Sequence, residues 1–441
     1  MTMKRLTLAA AVAAVAASGA VSGALTTAQA EDGIYIPLLT YRTGAFADSG
    51  TPIANGMSDY FALLNARDGG INGVKLVVEE CETGYKTDVG VECYERTKTK
   101  GAVVYNPYST GITNAIIPKT NGDKIPVLSM GYGLTPAADG RVFPWVFNLP
   151  TTYWSQASVF VKYVADQEGG MDKLKGKTIG LIHLDHPYGK EPIPTLEALS
   201  ATHGFDFVTY PVPPKTMQDQ RSTWEKIDSD EPDWLFMWGW GAMNPTAMKG
   251  AVDVDFPMER FIGVWWSGNE SDVRDAGEKA AGYLAGDFHG VGDGWPLFKD
   301  LRDQVVGKDG SQTPDSMVGE TLYNRGVFNA VVVSEAIRTA QGKFGNRAIT
   351  GEEMRWGLEN IVLDNARLDA LGLAGFTNPI NVTCQDHEGS HPVYLKKWDG
   401  AKWEKSTEWI EPMQDVVRPL IEEEAAKIAA ERGLATNNCS S

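Results

Sequence analysis

Short apolar runs alternate with amphipathic segments along almost the whole chain. Residues 34–39, 74–78, 102–105 and 125–129 read as strands, and residues 55–66 and 89–98 as helices between them, the first stopped by Gly69-Gly70. A second series starts after Pro150. It opens with a helix over 153–167 and continues through strands at 178–182, 207–210, 234–238 and 261–265, with helical segments between. A long helix is then expected over 323–341, where Ala330, Val333, Ile337 and Ala340 share one face. A hairpin follows around Asp399-Gly400, and a charged helix over 416–432 ends the pattern. Strand and helix in alternation build parallel sheets with helices on both faces, so the expected fold class is α/β with two doubly wound lobes.

The N-terminus does not belong to this pattern. Lys4 and Arg5 precede a small, apolar stretch over 6–25, and Ala28-Gln29-Ala30 supplies a small-x-small cleavage site before Glu31-Asp32. This reads as a secretory signal peptide over 1–30, without a cysteine that would invite a lipid anchor. No later run approaches the roughly 20 apolar residues of a membrane helix. The protein is therefore expected in the periplasm. About 410 of its 441 residues remain after cleavage, more than one hydrophobic core holds. A formal charge of -17 argues against nucleic acid, which needs a basic face. Four cysteines in an exported chain suggest disulfides. Cys81 and Cys93, close in sequence across a strand-to-helix connection, are the favoured pair; Cys384 and Cys439 are left open, since 431–441 reads as a disordered tail.

Two patterns suggest catalysis and neither holds. His387-Glu388-Gly389-Ser390-His391 matches H-E-x-x-H, which binds zinc only when both histidines share a helical face. Gly389, Ser390 and Pro392 speak against a helix there. His183, Asp185 and His186 cluster after a strand, yet a metal needs further converging ligands. No G-x-S-x-G elbow appears, Ser109 lacks a neighbouring base, and Trp238-Gly-Trp240-Gly lacks the spacing of a dinucleotide loop.

In open α/β sheets ligands sit beyond the carboxyl ends of the strands, and five loops lie there. They carry Arg42 and Phe46; Tyr108, Ser109 and Thr110; Gly131 and Tyr132; Trp238 and Trp240; and Trp265 and Trp266. Tyr188 joins them from the loop after 178–182. Ser109-Thr110-Gly111 opens a helix and can hold a carboxylate, although a Ser cap alone would explain it. Four tryptophans at two strand ends suggest an aromatic wall for a flat ligand. These residues are the candidate ligand-binding set; no catalytic residue, metal or cofactor is expected.

Several segments resemble one family. They are Asn55-Gly56, the run Asn65-Ala66-Arg67-Asp68-Gly69-Gly70-Ile71-Asn72-Gly73, Ser109-Thr110, Lys124-Ile125-Pro126-Val127-Leu128-Ser129 and Pro187-Tyr188-Gly189-Lys190. In this order they resemble the type I periplasmic solute-binding proteins of ABC transporters, on the leucine/isoleucine/valine-binding branch. The resemblance covers the whole chain after the signal. It implies two lobes crossed three times by the chain, a hinged cleft for one small solute, and delivery to an inner-membrane permease by a monomer. The lobes are expected over 31–150 with 284–375, and over 151–283 with 376–430. Ser109 and Thr110 match the positions that hold a ligand carboxylate in the amino-acid binders. Trp265 stands about where those proteins carry the acid that pairs with the ammonium. Without that acid an α-amino group would be desolvated unpaired, at a cost of several kcal/mol. An aromatic or carboxylate-bearing solute suits the residues better, with a branched-chain amino acid as the plainer option. An exported cleft enzyme and a sensor for a receptor kinase are the other readings.

Overall fold

The computed structural model describes residues 33–439; the signal segment lies outside the described residues. β1 (Ile34–Thr40) and β2 (Leu76–Glu82) pair in parallel, with Thr40 opposite Glu82. Single parallel bridges from Tyr35 to Ala102 and from Tyr105 to Val127 extend this sheet to β3 (Val127–Leu128) and β4 (Val146–Phe147). α1 (Ala47–Asp68), α2 (Thr87–Lys98) and α3 (Thr110–Asp123) connect the strands. α1 starts eight residues before the expected 55, because its Gly50, Pro52 and Gly56 hide a helical pattern. Their use is packing. A Cβ on Gly56 would meet Tyr323 O, and one on Gly326 would meet Ile53 O, so the backbones of α1 and the long helix Thr321–Phe344 touch.

α4 (Tyr153–Glu168) opens the second lobe; Thr152 caps it by accepting from Ser155 N at 3.2 Å, and Gly169 ends it at φ 93°. The sheet here has seven strands: β5 (Thr178–Leu184), β6 (Asp206–Val212), β7 (Trp234–Trp238), β8 (Phe261–Gly263), β9 (Leu284–Asp287), β10 (Tyr394–Trp398) and β11 (Trp403–Lys405). Their order is β11-β10-β9-β8-β7-β5-β6, parallel except for the antiparallel edge of β10 and β11. β9 falls in the span expected for the first lobe, yet it is paired between β8 and β10. The helix Gln414–Arg432, expected with the second lobe, packs Ala425 and Ala429 on Ile117, Ala137 and Phe143 of the first.

Both disulfides form, Cys81–Cys93 and Cys384–Cys439. The second anchors the segment expected to be a disordered tail, where Asn437 N also donates to Arg141 O at 2.8 Å. The first and third crossings between lobes run side by side, since Ser390 N and His391 N both donate to Pro150 O, at 2.9 and 3.0 Å.

Candidate functional site

Each lobe gives four side chains to a cavity at their junction. Tyr85, Tyr108, Thr110 and Tyr132 come from the first lobe, and Tyr153, Tyr188, Trp240 and Trp266 from the second. Tyr85, Tyr132, Tyr188, Trp240 and Trp266 all follow strands, Thr110 and Tyr153 open helices, and Tyr108 sits in the turn before α3. The strand-end rule thus selects the place. The space is narrow, with room for about one water.

Two cage tyrosines hold a conformation that bulky residues avoid: Tyr85 at φ 62° and Tyr108 at φ 45°. Such backbone costs about 1–3 kcal/mol per residue and collects at functional sites. Tyr132 helps to hold Tyr108, because its hydroxyl accepts from Tyr108 N at 2.7 Å while donating to Asn106 Oδ1 at 2.8 Å. Tyr188 donates to Gly239 O at 2.8 Å. The hydroxyls of Tyr108, Thr110 and Tyr153 and the Nε1–H of Trp240 are buried without a partner. Each such group costs about 1–3 kcal/mol until it finds one. Burial pushes the phenols of Tyr108, Tyr153 and Tyr188 well above their ordinary value, so they remain neutral donors.

Two tryptophans also hold the lobes together. Trp265 Nε1 and Trp266 Nε1 both donate to Gly131 O across the junction, at 2.7 and 2.9 Å. Gly131 lies at φ 65°, and a Cβ there would stand 2.7 Å from Phe288 Cε1 and 3.1 Å from Trp265 Nε1. Behind this wall Arg325 is fully buried, its guanidinium 4.7 Å from the Trp266 ring centre and 4.1 Å from that of Phe288. It donates to Asp287 Oδ1 at 2.9 Å, and Lys396 Nζ lies 2.7 Å from Asp287 Oδ2. Burial works against the Asp287 charge, but Lys396 and Arg325 outweigh it and hold the carboxyl below its usual range. Arg325 and Lys396 are thus already paired, and among the described residues no charged side chain lines the cavity.

The other sequence candidates lie around the cage. Ser109 is spent as the α3 cap, accepting from Ile112 N at 3.4 Å. Phe46 packs on Tyr85 at 4.4 Å between ring centres and reaches over to Gly241 of the second lobe. Trp238 and Trp265 stand behind Tyr153, at 6.0 and 5.5 Å, the latter stacked. Arg42 is turned away: it forks onto Glu80 at 2.8 and 2.7 Å and donates to Asn55 Oδ1 at 2.6 Å, in a separate polar surface pocket. Glu270, four residues beyond Trp266, accepts from Thr321 N and Oγ1 at 2.9 and 3.1 Å and does not line the cavity.

Tyr85 and Tyr153 belong to the cage but not to the sequence candidates. Tyr85 follows β2, so the strand-end rule would have found it; Tyr153 was hidden as the first residue of a helix. His183 faces Leu184 O at 3.0 Å, His186 accepts from Tyr188 N at 3.3 Å, and Asp185 pairs with Lys190 at 2.6 Å, so these three do not converge. His387 stacks on Phe147 at 4.1 Å, away from His391. No helix among the described residues is long and apolar enough to cross a membrane.

A family model described as periplasmic binding protein matches residues 33–403. The chain belongs to this family. Periplasmic binding proteins of this type are the solute-binding components of ABC transporters, and the fold is their type I fold. Among solved structures, one is described as an ABC transporter permease from the Pseudomonas fluorescens group. It is 41% identical, with a TM-score of 0.86 over 93% of this chain and 100% of that one. A branched-chain amino acid ABC transporter protein from Thermus thermophilus with bound valine is 18% identical, with a TM-score of 0.75 over 89% and 99%. A solute-binding protein from R. palustris in complex with benzoate is 14% identical, with a TM-score of 0.66 over 86% and 98%. No curated protein matches the sequence.

Proposed function

We propose that this periplasmic binding protein is exported to the periplasm, captures one small aromatic solute bearing an oxygen acceptor, a carboxylate among the options, and hands it to an inner-membrane permease. The observation that carries the reading is the cage itself, which offers seven aromatic side chains and one threonine. Rings stack or meet edge to face on such walls, worth about 0.5–1.5 kcal/mol per pair beyond area. The polar groups without partners can all donate: two phenols, the Thr110 hydroxyl at the start of the 14-residue α3, and the Trp240 indole, which can do nothing else. They favour a ligand that accepts. An α-amino group would find no carboxylate in the lining and would be buried unpaired, at several kcal/mol. The benzoate-bound relative keeps company with this reading, and the valine-bound one marks the alternative.

Binding would bridge the two sets of four residues and stabilise the closed form. A thermal-shift screen followed by calorimetry tests it with benzoate, hydroxybenzoates, phenol and benzyl alcohol against leucine and valine. The expected result is stabilisation by oxygen-bearing rings with the solute returned unchanged. Stabilisation by valine or leucine but by none of the aromatics would overturn it, and chemical conversion of the solute would point to an enzyme.

A further inference from the structure

We propose that Asp386, Glu388 and His391, on the third crossing between the lobes, form a divalent metal site of zinc-binding character that clamps the hinge. The three side chains bring donor atoms within 4.8 Å of one another. His391 Nε2 is 2.8 Å from Asp386 Oδ2 and 3.6 Å from Glu388 Oε2. Ligands held on zinc at about 2.0–2.2 Å in a tetrahedron stand roughly 3.3–3.6 Å apart. The Glu388 distance fits that spacing, and the Asp386 distance is a hydrogen-bond length that must open by about 0.5 Å.

The independent pointer to a ligand is Glu388. Its side chain is fully buried, and Oε2 has no hydrogen-bond partner. Its other oxygen is already satisfied by Thr152 N, Thr152 Oγ1 and Thr151 Oγ1, at 2.8, 2.9 and 3.3 Å. The free oxygen is therefore held rigidly, aimed at the histidine. The nearest other cation, Arg418, lies 3.5 Å from Asp386 Oδ1, but it is committed to Gln385 O and Glu422. A dication would stand between Glu388 Oε2 and His391 Nε2, which now face each other at 3.6 Å.

The supporting shell is built. Asp386 Oδ1 accepts from Glu388 N at 2.9 Å, and the Thr383–Asp386 turn is closed by backbone bonds. The Cys384–Cys439 bond pins the loop two residues upstream. Such partners orient ligands and raise affinity. The Asp386 and His391 side chains are 27% and 23% exposed, which gives an ion a way in. The site shares Glu388 and His391 with the H-E-x-x-H pattern but takes Asp386 in place of His387, and so needs no helix. It lies where Thr151 and Thr152 of the first crossing meet the third, and Glu388 joins the two through its other oxygen.

Zinc itself is the probe. The purified protein is stripped with a chelator, then titrated with zinc chloride in a calorimeter and in thermal unfolding. One equivalent is expected, with a Tm that climbs and levels off there. His391→Ala and Asp386→Asn should each weaken binding at least tenfold, while His186→Ala should leave it unchanged. Anomalous scattering from a zinc-soaked crystal of the unaltered protein decides the case if the variants fold poorly: a peak among the three side chains is expected. No binding up to roughly 100 µM zinc, equal binding in both variants, or a peak elsewhere would overturn the site and leave His391 as a hydrogen-bonded ion pair.

Discussion

Adding one methyl group at Gly131 separates closing from folding. The Cβ of Gly131→Ala meets strain twice. At φ 65° a side chain costs about 1–2 kcal/mol through the backbone alone, whether the lobes are open or closed. The new methyl also stands 2.7 Å from Phe288 Cε1 and 3.1 Å from Trp265 Nε1. Trp265 belongs to the other lobe and donates to Gly131 O at 2.7 Å only when the lobes meet. Overpacking of this kind costs about 1–3 kcal/mol. At 1.4 kcal/mol per decade, that lowers solute affinity by roughly 5- to 150-fold. The assay is calorimetry with whichever aromatic solute gives the largest thermal shift, beside thermal unfolding without solute. The variant should melt a few degrees lower and bind far more weakly than that loss explains. A variant that melts lower but binds within twofold of the parent would refute the idea that Trp265 and Gly131 meet in the bound form.

Other outcomes follow from the same geometry. Trp265→Phe should weaken solute binding by about fivefold through loss of the bond to Gly131 O, worth roughly 1 kcal/mol; Trp398→Phe should not, because Trp398 donates to Gly277 O within its own lobe. Tyr108→Phe and Tyr153→Phe each delete an unpartnered hydroxyl, so calorimetry should show weaker binding of an oxygen-bearing ring while the solute-free Tm holds or rises. Reducing or replacing Cys384–Cys439 opens a 55-residue loop and should cost about 4 kcal/mol in denaturant unfolding, against about 3 for the 12-residue Cys81–Cys93 loop. Burial pushes the carboxyl of Asp272 up to about 7, and the hydrogen bond from Asn269 N only partly offsets it. The folded state then holds a proton that the unfolded state has released, so this group's contribution falls as pH rises from about 4 to 7 and is level above. Asp272→Asn should flatten that stretch of the stability curve.

The two lobes were legible because buried parallel strands are continuous apolar runs, as in Trp234–Trp238. β9 was not, being four residues of which two are small, and its place in the second sheet is set by β8 and β10. The aromatics at strand ends could be picked from the chain, since the loops carry little else that is large. What the chain could not tell was which rings face the cavity. Trp238 and Trp265 sit one layer behind Tyr153, a difference of packing depth that spacing does not record. Arg42 looked like a ligand group until its fork found Glu80, 38 residues away but brought near by the pairing of β1 with β2. Likewise Arg325, buried behind Trp266, lay inside an apolar helical pattern that gave no sign of an ion pair.

The central claim is that a ring is gripped between aromatic side chains donated by both lobes. A crystal structure of the protein with its strongest-stabilising solute tests that most directly. The account predicts one solute bounded by Tyr108 and Tyr132 on one side and Trp240 and Trp266 on the other, its oxygen within hydrogen-bond reach of Thr110, Tyr153 or the Trp240 indole. Solute density in the Arg42 surface pocket, or anywhere that only one lobe touches, would contradict it.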